Sequence, residues 1–135
     1  MTTENPENAL DPERVRGWFQ TYLDDKCVCR YCGFDGRRSP EDWMQLQGDH
    51  LIPRRVAQKN AEDSLNRVTA CAYCNMVKRN FDPAEGRTSK VASRDHQQAL
   101  VERACKEIER RKARTWGYAG GPEKSFQLMM QRMKD

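Results

Sequence analysis

The spacing of apolar residues along the chain changes period several times, and each change marks an element. Val15, Trp18, Phe19 and Tyr22 recur at i, i+3, i+4 and i+7, one face of a helix reaching Asp24. Asp11-Pro12-Glu13 supplies its N-cap, a proline at the first helical position and an acid in the first turn. From Met44 the period falls to two through Gln45, Leu46 and Gln47, which predicts a strand with one buried face. Leu51 and Ile52 continue it and Pro53 stops it. Just upstream, Ser39-Pro40-Glu41-Asp42 predicts one helical turn, and Trp43 is expected in the core. Residues 56–64 are polar and read as a loop or broken helix.

A second helix begins at Cys71-Ala72-Tyr73-Cys74 and is expected to run to Asn80 or Phe81, stopped by Pro83. On it Asn75 and Lys78 share one face, and Tyr73 and Val77 another. Residues 81–93 read as a linker. Beyond them a long helix from Arg94 to Arg114 carries a narrow stripe of Ala99, Leu100, Ala104, Cys105 and Ile108. Pro122 opens a last helix whose Phe126, Met129, Met130 and Met133 form an apolar face, suited to packing or to a second subunit.

With 135 residues the chain has room for one domain with attached helices. One third of its residues are charged, so its small centre needs support, which a bound metal would provide. No apolar run approaches the ~20 residues of a membrane span. The start, MTTENPENALDPE, is acidic rather than leader-like, which points to a cytoplasmic setting. Six cysteines could form three disulfides, but two C-x-x-C pairs without a leader favour metal in a reducing cytosol. The net charge of +4 is unevenly placed, with three basic and six acidic residues over 1–26 against nine and four over 87–114. That asymmetry fits an anionic partner near the long helix, or a solvated face laced with ion pairs.

The chemistry-bearing residues lie between the cysteine pairs. Cys29, Cys32, Cys71 and Cys74 are enough to hold one zinc ion, and four thiolates would close its shell and make it structural. Cys27 has the wrong spacing and reads as a packed or spare thiol. Gly48 lets the backbone pass close to a neighbour, a metal or a phosphate. Asp49 offers a hard anionic oxygen and His50 a neutral base near physiological pH, while His96 reads as a surface residue. Adjacent strand residues face opposite ways, so the two need a local bend to serve one site.

Cys29, Cys32, Gly33, Asp49, His50, Pro53, Asn66, Cys71, Cys74, Asn75 and Lys78 together spell C-x-x-C-G, D-H-x-x-P, N and C-x-x-C-N-x-x-K. Over residues 27–82 this resembles the HNH endonuclease family in its zinc-bearing form, the family letters falling on His50, Asn66 and Asn75. The resemblance implies an α+β fold, with a small ββα-metal core stapled by a zinc ion on the four cysteines, Val68-Thr69-Ala70 as second strand, and flanking N- and C-terminal helices. The divisions expected are an arm and helix over 1–26, the core over 27–82, and a helical extension over 83–135.

The resemblance further implies one divalent ion on Asp49 and Asn75, His50 as general base, and Asn66 holding the imidazole through its second nitrogen. It places Arg54 and Arg55 on a loop beside the substrate backbone. Two oxygen ligands suit magnesium or manganese, which keep several waters and take phosphate oxygens. Lys78 and Arg79 are expected to meet phosphates. The expected activity is hydrolysis of double-stranded DNA to a 5′-phosphate and a 3′-hydroxyl, by a single chain or a homodimer. The alternatives are an RNA-cleaving nuclease and a zinc module that only binds nucleic acid or protein.

Overall fold

The computed structural model describes residues 18–115 and 121–134. Helix α1, Trp18–Asp24, is followed by Lys26 and Cys27, both with positive φ (56° and 58°). The Cys27 N–H donates to the Tyr22 carbonyl at 2.7 Å, and this reversal aims the chain back toward the sheet. The expected cap at Asp11-Pro12 and the helical position of Val15 lie outside the described residues.

A knuckle follows. Val28 bridges Asp35, Cys29 N–H donates to the Phe34 carbonyl and Gly33 N–H to the Cys29 carbonyl, each at 2.9 Å. Gly33 adopts φ 80°, where a side chain would be strained. The single turn α2, Pro40–Trp43, is capped by the Ser39 hydroxyl. Trp43 stands nearly half exposed rather than in the core, its ring edge-on to Tyr22 at 6.5 Å.

Strand β1, Leu46–His50, pairs antiparallel with β2, Arg67–Cys71, so that Leu46 faces Cys71 and His50 faces Arg67. Regular pairing ends at His50, earlier than the alternation suggests. Leu51 and Ile52 then bend inward and are wholly buried. Helix α3, Arg54–Ala57, and two 3-10 turns, Gln58–Asn60 and Ser64–Asn66, fill the connection. Arg54 and Arg55 therefore occupy a helical turn and not an open loop.

Helix α4, Ala72–Lys78, leaves β2 directly, giving a strand, strand, helix unit. It stops at Lys78 because Arg79 takes φ 49°, well before the proline at 83. Residues 81–93 are more than a linker: the Asp82 carboxylate accepts from the N–H groups of Ala84 and Gly86, and Ala84 and Val91 are buried.

Helix α5, Arg94–Thr115, lies across the unit and closes its core. Its buried face is Gln97, Leu100, Val101, Ala104 and Ile108, whereas Ala99 is exposed and Cys105 half-buried. The apolar members of this face join Leu51, Ile52, Val68, Ala70 and Cys74 in one cluster. Helix α6, Gly121–Met133, leaves Phe126, Met129 and Met133 exposed. The architecture is α+β, helices around a two-stranded antiparallel sheet. No helix among the described residues is long and apolar enough to cross a membrane.

Candidate active site

The knuckle, the end of β2 and the first turn of α4 bring four sulfurs together. The Sγ atoms of Cys29, Cys32, Cys71 and Cys74 all lie within 4.8 Å of one another, and those of Cys32 and Cys71 are 3.7 Å apart. A tetrahedral zinc with Zn–S bonds of about 2.3 Å sets its sulfurs about 3.8 Å apart, so these four could bind zinc. All four are free thiols. Hydrogen bonds from Cys71 and Cys74 hold the Cys29 thiol far below its ordinary range, and the bond to Cys29 pushes Cys71 up to about 11. The bonds to Cys29 and Cys71 push Cys74 up as well. Lys112 of α5 approaches it from outside, its Nζ 3.3 Å from Cys74 Sγ and 5.0 Å from the Tyr73 ring centre. Cys105 takes no part and donates to the Tyr31 carbonyl at 3.0 Å.

At the far end of β1 a hollow of ≈ 260 Å³ is lined by Asp49, His50, Arg54, Asn75, Arg79 and their neighbours. Asp49 turns inward from the strand. Its Oδ2 accepts from Tyr31 Oη at 2.5 Å and stands 3.1 Å from Lys78 Nζ, while Oδ1 has no hydrogen-bond partner among the described residues. Burial raises the Asp49 pKa above its ordinary value, opposed by the Lys78 charge and the Tyr31 hydroxyl. Asn75, on α4, donates from Nδ2 to Gln47 Oε1 at 2.7 Å, which leaves its own carbonyl oxygen for another contact.

His50 turns the other way. Its Nε2 lies 2.9 Å from Glu62 Oε1, and its ring meets Trp18 at 5.1 Å in an edge contact. Nδ1 has no partner among the described residues. Glu62 is also gripped by Arg54 at 3.0 Å and Arg67 at 2.9 Å. The Arg67 bond comes first among the causes that hold its carboxyl at about 2.

Several expected roles change. Lys78 cannot meet a phosphate where it stands: it is wholly buried, its Nζ donating to the His50 carbonyl at 3.1 Å besides pairing with Asp49. Asn66 does not hold the imidazole. Its Oδ1 accepts from Ile52 N–H at 2.8 Å and its Nδ2 donates to the carbonyls of Ile52 and Ala61. Those buried backbone groups would otherwise go unpaired, so the side chain staples the bend after β1. The close neighbour of Gly48 is the Trp18 indole, which a Cβ there would overlap. Arg54 and Arg79 border the hollow, while Arg55 reaches the Asn80 carbonyl at 3.4 Å.

Three residues around the site carry little signal in the sequence. Tyr31 sits between two cysteines of the cluster, and its only mark is a hydroxyl-bearing ring in that position. Trp18 reads as helix packing. Glu62 lies four positions before Asn66 in a polar stretch, where no spacing rule singles it out.

Residues 29–81 match the model of the HNH endonuclease family. This segment is an HNH domain. No curated protein and no solved structure matches the chain. The match begins at the first cysteine of the knuckle and ends just past α4, so it takes in both cysteine pairs, β1, β2 and the whole hollow. The HNH domain is nuclease-type in its family, and its cysteine cluster fits a metal.

Proposed function

We propose that the HNH domain is a DNA endonuclease that hydrolyses phosphodiester bonds with His50 as general base. The observation that carries this reading is one hollow lined by His50, Asp49 and Asn75, where His50 Nδ1, Asp49 Oδ1 and the Asn75 side-chain oxygen have no hydrogen-bond partner among the described residues. A pure binding module needs none of the three together.

Asp49 Oδ1 and the Asn75 carbonyl would hold a divalent ion, and this donor set of two hard oxygens suits magnesium or manganese. Such an ion, when bound, neutralises charge on the phosphate and leaving oxygen. His50 Nδ1 takes the proton of the attacking water, whose oxygen bonds to phosphorus as the bond to the 3′ oxygen breaks and that oxygen takes a proton from solvent. The products are a 5′-phosphate and a 3′-hydroxyl. Arg54 and Arg79 border the hollow and would receive the flanking phosphates. A larger hollow of ≈ 610 Å³ shares Arg79 and Asn80 with the first and continues past Phe81 and Arg111, a course for the strand on one side of the cut.

Zinc on the four cysteines has a structural part. Its ligands come from the knuckle, the end of β2 and α4, so it ties the knuckle to the junction from which the helix of Asn75 leaves the sheet. Double-stranded DNA is the expected substrate.

The test is nicking of supercoiled plasmid by the zinc-loaded chain with magnesium or manganese, beside His50→Ala. Cleavage by the parent and its loss in the variant support the reading. A parent inactive with every divalent ion, or a variant that cuts equally well, would sink it.

A further inference from the structure

We propose that Glu62 is the positioning residue for His50: it accepts the proton-bearing Nε2 and thereby leaves Nδ1 as the basic nitrogen facing the substrate. This deepens the nuclease reading and rests on it.

The geometry is a closed frame. Glu62 Oε1 lies 2.9 Å from His50 Nε2 and 3.0 Å from Arg54 Nη2, and Oε2 lies 2.9 Å from Arg67 Nη2. Arg67 is the residue opposite His50 in the sheet, so the strand pairing itself places it to grip this carboxylate. Its guanidinium lies over the Trp18 ring at 5.5 Å, and that ring in turn meets the imidazole at 5.1 Å with an interplanar angle of 80°. Carboxylate and imidazole are therefore held in one frame by Arg67 and Trp18.

The consequence is a choice of tautomer. An ionised carboxylate only accepts hydrogen bonds, so Nε2 must donate and a neutral imidazole must carry its proton there. Nδ1 then holds the lone pair, and it is the nitrogen with no partner among the described residues. Two arginines on Glu62 keep the carboxylate ionised and stop it from rotating away from the ring. As an exposed ion pair the contact would add little stability. Its effect lies in which nitrogen is free and where that nitrogen points, as in other carboxylate–histidine pairs.

The test uses the full zinc-loaded chain with ¹⁵N-labelled histidine. The chain has two histidines, and His96→Gln leaves the signals of His50 alone. The parent should show the Nε2–H tautomer, Glu62→Ala should mix the two tautomers, and Glu62→Gln, whose carbonyl still accepts, should retain the parent form. In plasmid cleavage, Glu62→Ala should lower kcat about 10- to 100-fold, part of the range general-base catalysis supplies, with KM changed less than about twofold. Glu62→Gln should recover most of that loss. An Nδ1–H tautomer in the parent, or a tautomer unchanged in Glu62→Ala, overturns the proposal. So does equal loss of kcat in both variants with an unchanged tautomer, which would make Glu62 a prop for the loop. If the parent does not cut at all, the nuclease reading fails on its own, and the tautomer measurement still decides whether Glu62 controls the ring.

Discussion

The ammonium of Lys78 stands 3.1 Å from Asp49 Oδ2, and no part of the lysine reaches solvent. A buried charge without its partner is costly, whereas the pair itself adds little net stability. Lys78→Met should therefore lower unfolding stability by about 3 kcal/mol, the lower end for breaking a buried pair. Urea denaturation of the zinc-loaded protein without nucleic acid reads this directly. A variant of parental stability with weakened DNA binding would instead return Lys78 to a phosphate role.

Gly48 owes its identity to Trp18. A Cβ at that position would overlap the indole, so Gly48→Ala should push the ring away from His50 and destabilise the fold by about 1–3 kcal/mol, as overpacking does. The double variant Gly48→Ala with Trp18→Ala should regain part of that loss. Strict additivity of the two changes in a denaturation cycle would show that the contact carries no weight.

The cysteine cluster makes a prediction about order of events. Chelating the metal, or replacing Cys71 by Ser, should unfold the knuckle together with the sheet, because Cys71 closes β2 and opens α4. Elemental analysis should find one zinc per chain, and circular dichroism should lose structure as zinc is withdrawn. Retention of the full spectrum after complete removal would refute a structural part for the ion.

Glu62 gives a pH dependence. Its carboxyl sits at about 2 in the folded chain, below the ordinary 4.5, so the folded state binds fewer protons there than the unfolded state. The stability it contributes is complete above the ordinary value and is lost as pH falls through the folded one. The difference in unfolding free energy between the parent and Glu62→Gln should thus shrink as pH falls below about 4.5. It should stay under about 1 kcal/mol, since the side chain is nearly half exposed and water screens its partners. A difference that grows as pH falls below about 4.5 contradicts the arrangement.

The parts of this fold that can be read from the chain are those set by local chemistry. Paired cysteines and the turn at Ser39 follow from spacing. The alternation from Met44 finds a strand, but that strand begins at Leu46 and leaves Met44 exposed in a turn. The structure lines one hollow with Asp49, His50 and Asn75. What cannot be read are partners distant in the chain. Lys78 carries a charge that sequence logic sends to solvent, yet Asp49 and the His50 carbonyl draw it inside. Asn66 looks like a partner for a ring because a polar side chain beside a base invites that role, but the bent backbone at Ile52 needs its amide more. Glu62 and Arg67 join His50 in one frame only once the strands are paired.

Helix α5 lies beyond the matched segment, and yet its Leu100, Ala104 and Ile108 complete the cluster that buries Val68 and Cys74. Gln97 reaches the Leu65 carbonyl at 2.8 Å, and Arg111 caps α4 through the Val77 and Lys78 carbonyls. The recognisable signature and the cooperative folding unit consequently have different edges. A fragment trimmed at residue 82 would carry every motif residue and still lack one wall of its own interior, so transplanting the signature into another scaffold means transplanting this helix with it.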